Sequence, residues 1–459
     1  MKRVSMISLL AILSAVAAAR ADTAQRLAKT VQDYGNSLAV FRCTFEDDLM
    51  KQVLVAQAVC IHANNGIGTF LVLGMDGRMN PDRISEAALI APGVEQKTLR
   101  ASLLSIDPEL DIAFVRASES YPWQAVPFAT SSKLAVGQEV VSIGLTPGDP
   151  ANTPCVAAGY VSAIVRNPRR LVMVAGGQLT QPGSPVFGPD GRAIGLVGQQ
   201  LFQGYQMVLN ESTANVALKS QQQGQCFLPV EEFSHIFQHL GKKRRLAWMG
   251  AVRFTGVGAE LAEALNLRRP GILIDQVVPG HAADKAGLKN RDVIVEVDGQ
   301  GVEKLASPEL VVQNFMISLF RRNPGESVTL TILRGGAEQK IPVTLESMPA
   351  GAHEAARYVS PDLGFVVRER VLLDKYAAQG PADVEGLIVA IVGRNTPAAA
   401  GGLQGNDVIT NVNAQAVTTA DAFRRIVEDA LKSDRSKAIN LMVRRGTQNL
   451  AIAIQPPAK

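Results

Sequence analysis

Hydrolytic chemistry needs a nucleophile, a base that takes its proton and a group that holds the base, and few residues of this chain are spaced for it. The segment Leu179-Thr-Gln-Pro-Gly-Ser-Pro-Val-Phe-Gly-Pro-Asp-Gly191 sets one hydroxyl, Ser184, between Gly183 and Pro185, just ahead of the apolar run Ala193-Ile-Gly-Leu-Val197. The polar neighbours before it are Gln178 and Gln181, neither of them a base, and no histidine occurs between residues 63 and 234. A carboxylate, Asp111, stands in Asp107-Pro-Glu-Leu-Asp-Ile-Ala-Phe-Val115. His235 and His239 have the i, i+4 spacing of metal ligands on a helix, but no glutamate follows His235 as it does in the zinc hydrolase pattern. They read as satisfied or interfacial histidines. The adjacent carboxylates Asp47-Asp48 and Glu231-Glu232 point apart on any regular element and read as solvated faces. Gly176-Gly177 lacks the spacing and the lysine of a phosphate loop, and there is no C-x-x-C pair. The chain therefore reads as one without a metal, a cofactor or a nucleic-acid partner.

The elements that would position these residues differ between the two halves. Residues 35–245 read as many short strands punctuated by Gly and Pro, which favours two packed β-barrels or a sandwich. Val230–Leu240 closes that half with apolar residues at helical spacing, and the basic run Gly241-Lys-Lys-Arg-Arg245 reads as a solvated linker. The second half contains an internal repeat. Residues 273–302 and 388–417 each carry a strand, a short turn of helix, then Gly287-Leu-Lys-Asn-Arg-Asp-Val-Ile294 or Gly402-Leu-Gln-Gly-Asn-Asp-Val-Ile409. Each is followed by an amphipathic helix (Ser307–Leu319; Thr419–Leu431) and a pair of strands. Gly287 and Gly402 sit where a short helix ends and a positive φ is expected. Ser347–Ala355, with Pro, Gly and Ala, separates the repeats.

The 459 residues are 47% hydrophobic and 19% charged with a net charge of +4, enough apolar material for several cores and no argument for a nucleic-acid or membrane partner. Lys2-Arg3, the apolar run Val4–Ala18 and Ala19-Arg20-Ala21 have the parts of a secretory signal, giving a mature chain from about Asp22 outside the cytoplasm. Four cysteines remain: Cys43, Cys60, Cys155 and Cys226. An oxidising compartment permits three pairings, of which Cys43–Cys60 with Cys155–Cys226 are the most local; buried free thiols are the alternative.

These motifs resemble the HtrA/Deg-like family of trypsin-fold serine proteases. The resemblance implies a mainly β fold, a chymotrypsin-like double β-barrel followed by two circularly permuted PDZ domains. The expected division is a signal peptide at 1–21, a trypsin-like domain at 22–245, and PDZ domains at 246–347 and 356–457. It puts Asp111 at the carboxylate position of the catalytic triad and Pro182 where the family keeps its nucleophilic serine. Proline has neither hydroxyl nor backbone N–H. Gly66–Val72 with Asp76-Gly77 looks like the strand and turn before the family's T-N-x-H-V motif, yet Arg78–Ile84 holds no histidine. The implied protein is a degenerate member, and an active site rebuilt around Ser184 and Asp111, with Gly183 as a remaining backbone donor, is the alternative. In the PDZ pattern x-Φ-G-Φ, the carboxylate-binding loops are Trp248-Met249-Gly250-Ala251 and Leu363-Gly364-Phe365 after Asp362. Helices Pro308–Leu319 and Ala420–Leu431 would wall the grooves through Val311, Phe315, Phe423 and Ile426. Implied partners are protein C-termini or unfolded, extended polypeptides, a paralogous protease, and copies of the chain in a homotrimer built on an N-terminal extension. The implied place is the periplasm or beyond.

Overall fold

The computed structural model describes residues 23–47, 50–76, 83–130, 133–198, 225–376 and 384–457. The signal segment and most of Arg78–Ile84 lie outside them. A helix over residues 23–34 leads into the first barrel. That barrel is built from β1 (Leu38–Asp47), β2 (Met50–Asn64), β3 (Ile67–Leu73), β4 (Ile84–Ile90), β5 (Thr98–Asp107) and β6 (Ile112–Ala117). It closes in the order β1-β2-β3-β6-β5-β4. Asn64 pairs with Ile67 across a two-residue loop, Asn65-Gly66, with φ of +50° and +77°. Positive φ at both loop residues is the type I′ condition that matches strand twist, so β3 is set antiparallel against β2 by two residues.

The second barrel contains β7 (Glu139–Leu145), β8 (Pro154–Asn167), β9 (Arg169–Ala175), β10 (Pro185–Phe187), β11 (Ala193–Val197) and β12 (Gln225–Pro229). Its order is β10-β11-β12-β9-β8-β7. One apolar cluster joins the barrels, with Leu71 and Phe114 of the first packed among Leu171, Leu196 and Phe227 of the second. The expected helix Val230–Leu240 is instead two 3-10 segments, Val230–Glu232 and Ser234–His239. Phe233 interrupts them at φ −131° and, with Ile236, drops fully into that core. Burying both side chains in this cluster, Phe233 against the rings of Phe128 and Phe237, overrides the α-helical spacing.

The two repeats share one topology. The first has β13 (Ala247–Trp248), β14 (Phe254–Gly256), β15 (Ile272–Ile274), β16 (Val293–Val297), β17 (Gln300–Gly301), β18 (Ser327–Arg334), β19 (Ala337–Thr344) and β20 (Glu346–Ser347). Its main sheet runs β14-β15-β16-β18-β19, with β17 on β16, while β13 pairs with β20. The second has β21 (Arg357–Ser360), β22 (Phe365–Arg368), β23 (Leu387–Val392), β24 (Val408–Val412), β25 (Gln415–Ala416), β26 (Ile439–Arg445) and β27 (Gln448–Ile454). Strands β22-β23-β24-β26-β27, with β25 on β24, reproduce the first sheet, and β21 is one strand more. Helices Pro308–Phe320 and Ala420–Ser433 are capped by Ser307 and Thr419, whose hydroxyls accept from the N–H three residues on. Gly287 and Gly402 both have φ +85°. One clamp recurs: Arg334 grips buried Asp292 and the Gly287 carbonyl, and Arg445 grips buried Asp407 and the Gly402 carbonyl.

The chain divides into two compact units, one with most of both barrels and the first repeat and the other with residues 347–459, 44–53 and 78–85. Among the described residues no helix is long and apolar enough to cross a membrane. All four cysteines are free thiols, and neither local bridge forms. Cys155 on β8 and Cys226 on β12 face β7 and β9 respectively, with β9 lying between their strands. Strands two apart in a sheet are about 9.5 Å apart, beyond disulfide reach. Burial pushes the Cys60 thiol up to about 12.

Candidate functional site

The loop between β9 and β10 is fixed by its own N–H groups. Gln181-Pro-Gly-Ser184 turns with Ser184 N–H donating to the Gln181 carbonyl at 3.2 Å, Pro182 second and Gly183 third at φ +85°. Those are the residues and the positive φ that a type II turn demands. Gly183 N–H donates to the Val197 carbonyl at 2.7 Å, so it faces inward and is not the exposed donor that the sequence suggested. Thr180 N–H donates to Ser142 Oγ at 2.9 Å, Gln178 N–H to the Ala158 carbonyl at 3.2 Å, and Leu179 N–H to Gln225 Oε1. Pro182 has no N–H. A developing oxyanion is stabilised by donors already aimed at it, and these five N–H groups are aimed elsewhere.

Ser184 has no exposed surface. Its Oγ accepts from Gln57 Nε2 at 2.9 Å. Gln57, itself 8% exposed, accepts at Oε1 from Leu145 N–H at 2.9 Å and from Gln181 Nε2 at 2.6 Å. An amide has no basic nitrogen, so this network orders the serine without activating it. Nothing in the spacing pointed to Gln57, because it reaches Ser184 across 127 residues from β2.

Asp111 sits at φ +53° in the turn between β5 and β6. Gly74 and Met75 both donate their N–H to its carbonyl at 3.0 Å. The chain thus reaches Asp111 at the end of β3, while most of Arg78–Ile84 lies outside the described residues. The residue before Gly74 is Leu73, whose Cβ lies 3.6 Å from where a Cβ on Gly183 would stand. Beside the turn is a buried ionic cluster that the sequence did not announce. Glu109 takes Arg169 Nη2 at 2.9 Å, Arg244 Nη1 at 3.1 Å and His235 Nε2 at 3.0 Å. Asp107 takes Arg244 Nη1 at 2.7 Å and accepts the N–H groups of Glu109 and Leu110. Arg321, from the end of helix Pro308–Phe320, bonds Glu232 at 2.5 Å and approaches Glu109 at 3.7 Å, while Arg244 also holds the Phe320 carbonyl. Burial alone would raise the Glu109 pKa; the His235 hydrogen bond and the Arg169 guanidinium outweigh it and hold the carboxyl at about 2. Arg244 is therefore an anchor, a correction to the solvated linker read from Gly241–Arg245; its neighbours Lys242, Lys243 and Arg245 are exposed. Glu232 is likewise paired rather than part of a solvated face.

The two x-Φ-G-Φ loops are placed differently. Trp248, Met249 and Ala251 are buried, with Trp248 Nε1 donating to the Ala251 carbonyl at 3.0 Å. Gly250, at φ +80°, packs so closely on the helix that starts at Ala282 that a Cβ would stand 2.7 Å from the Ala282 nitrogen. Beyond this loop, β14 pairs with β15 on one side and meets helix Pro308–Phe320 on the other. Phe254 packs edge-on to Phe315 at 5.8 Å, and a Cβ on Gly256 would lie 2.1 Å from the Pro308 carbonyl oxygen. Leu363 and Phe365 are fully buried, and Gly364 at φ +75° rests on Thr396. Val311, Phe315 and Phe423 are buried and Ile426 is half-buried on the same cores. Among the described residues no group of three or more His, Cys, Asp or Glu side chains could hold a metal.

Residues 75–196 match the trypsin-like peptidase domain family and residues 255–345 the PDZ domain family. A curated protein of Bartonella henselae, named a probable periplasmic serine endoprotease DegP-like, is 30% identical over 385 residues, spanning 81% of this chain and 70% of that protein. One of the same name from Hahella chejuensis is 30% identical over 353 residues, 73% of this chain and 68% of that one. Among solved structures, the HtrA-type protease AlgW with decapeptide superposes with a TM-score of 0.51 at 17% identity, over 71% of this chain and 99% of that chain. The same protease with tripeptide gives 0.50 at 20% identity, over 71% and 98%. At these identities the likeness to the solved structures is one of fold.

Proposed function

The chain belongs to the HtrA family of DegP-like proteins, and from that premise we propose that it is a proteolytically silent member that binds the C-termini or extended segments of other proteins in the bacterial envelope. The observation that carries this reading is the loop at Gln178–Ser184. Five of its N–H groups, those of residues 178, 179, 180, 183 and 184, are already donated within the protein, the family resemblance puts Pro182 at the serine position, and the hydroxyl of Ser184 is buried against an amide. Two catalytic requirements, an exposed activated oxygen and oxyanion donors, go unmet together.

Peptide binding is supported by the PDZ match and by the bound peptides named for the AlgW structures. PDZ domains add an extended peptide as a strand and catch its carboxylate in a backbone nest. The periplasm is supported by the names of the relatives and by the Lys2–Ala21 leader pattern. Through such binding the protein would act as a chaperone-like holder or as a regulator of an active paralogue, with a homotrimer as the family's way of presenting several grooves at once.

The test is cleavage of fluorescently labelled, unfolded casein by the purified mature chain, beside Ser184→Ala and Asp111→Asn. The proposal expects all three to match a buffer blank while the wild type retains casein in pull-down. Cleavage lost in either variant would instead identify a rebuilt endopeptidase site on Ser184 and Asp111.

A further inference from the structure

The main sheets of the two repeats differ by one strand, six against seven, and that strand stands where a ligand goes. In the first repeat the residues before the x-Φ-G-Φ loop pair with β20, leaving the outer edge of β14 to helix Pro308–Phe320. In the second repeat Arg357–Ser360, just ahead of the loop at Asp362–Phe365, fold back as β21 onto the outer edge of β22. Helix Ala420–Ser433 then rests on β21. The segment therefore lies between the groove strand and the groove helix, the position at which strand addition seats a peptide.

Its direction and ending are also those of a ligand. β21 is antiparallel to β22, with Arg357 opposite Arg368, Tyr358 opposite Val367, Val359 opposite Val366 and Ser360 opposite Phe365. Glu369 N–H extends the ladder to the Ala356 carbonyl at 2.7 Å. At the loop end, Gly364 N–H donates to the Ser360 carbonyl at 2.8 Å, so a backbone carbonyl occupies the place where a terminal carboxylate would accept from the nest. Tyr358 supplies the side-chain anchor, its ring 5.9 Å from Phe423, which also packs edge-on to Phe365 at 6.0 Å.

We infer that residues 357–360 are a built-in pseudoligand, filling the peptide groove of the second repeat so that a foreign chain end enters only by displacing β21. The inference rests on the peptide-binding reading above and narrows it: the second groove is closed until competed for. The competitor it fits is an extended peptide with a free carboxylate and an aromatic residue third from its end, the place Tyr358 takes relative to Ser360. The strap is flanked by an exposed contact of Asp362 with Arg435 and a part-buried one of Arg357 with the His353 carbonyl at 2.8 Å. Its one aromatic contact is the half-buried ring of Tyr358.

The probe is fluorescein-labelled Ala-Arg-Tyr-Val-Ser with a free carboxylate, titrated by fluorescence polarisation into the full mature chain and into Tyr358→Ala, each verified as folded by its thermal transition. Tyr358→Ala should bind at least tenfold more tightly than wild type and lose that gain against the amidated peptide. In hydrogen–deuterium exchange of the wild type with excess probe, residues 357–360 should exchange faster while 365–368 stay protected. Equal affinity for the two proteins, binding to neither, or unchanged protection of 357–360 with probe bound would overturn the inference. Casein retention and casein cleavage read the broader functional proposal separately, since neither requires the second groove to open.

Discussion

Glu109→Gln would remove the one charge on which Arg169, Arg244 and Arg321 converge while keeping the shape of the side chain. In the folded chain this carboxyl is held at about 2 against an ordinary value of 4.5. A gap of about 2.5 units corresponds to about 3 kcal/mol of folded-state preference for the ionised form. Because the folded pKa is the lower one, that contribution is complete above about pH 4.5 and is lost as pH falls toward 2. Breaking one side of a buried ion pair costs about 3–5 kcal/mol, which agrees in size. Thermal unfolding followed by circular dichroism at several pH values between 7 and 2.5 should therefore show Glu109→Gln destabilised by about 3 kcal/mol at pH 7. The gap to wild type should close below pH 4. A gap that stays constant from pH 7 to pH 3 would refute the assignment of the cluster to a depressed, buried carboxylate.

Gln57→Leu leaves Ser184 Oγ and Leu145 N–H buried without their partner; a loss of about 2–4 kcal/mol in urea unfolding is expected, with no gain in casein cleavage. Gly256→Val drives a side chain into the Pro308 carbonyl. It should lower the melting temperature and abolish peptide binding by the first repeat while leaving the second repeat's exchange pattern unchanged. Arg445→Ala strips buried Asp407 and the Gly402 carbonyl of their shared cation. It should cost about 2–4 kcal/mol in urea unfolding of the full chain, and Arg334→Ala should cost a similar amount.

What the sequence made legible was local. The turn at Pro182 is visible because Pro-Gly dictates its own backbone, and the repeats are visible because Gly287 and Gly402 punctuate the same small-residue helix ends. What escaped was set by contacts distant in the chain. Asn65-Gly66 turns the strand early enough for Gly74 and Met75 to meet the Asp111 carbonyl, a contact between residues 36 or more apart that no local pattern announces. Cys155 and Cys226 look like neighbours in spacing, but β9 lies between their strands. Arg244 belongs to a basic run that reads as solvated, yet two carboxylates draw it inward. β21 carries no signal of its own, because it is four residues long and the main sheet of the first repeat has no strand to match it.

The central claim is that no activated oxygen faces solvent at the Gln178–Ser184 loop. Incubating the mature chain with a fluorophosphonate, which phosphonylates activated serine hydroxyls, and weighing the intact protein tests it most directly. The account predicts an unchanged mass after prolonged exposure, under conditions in which trypsin is fully labelled. A stoichiometric adduct mapped to Ser184 or Thr180 would contradict it.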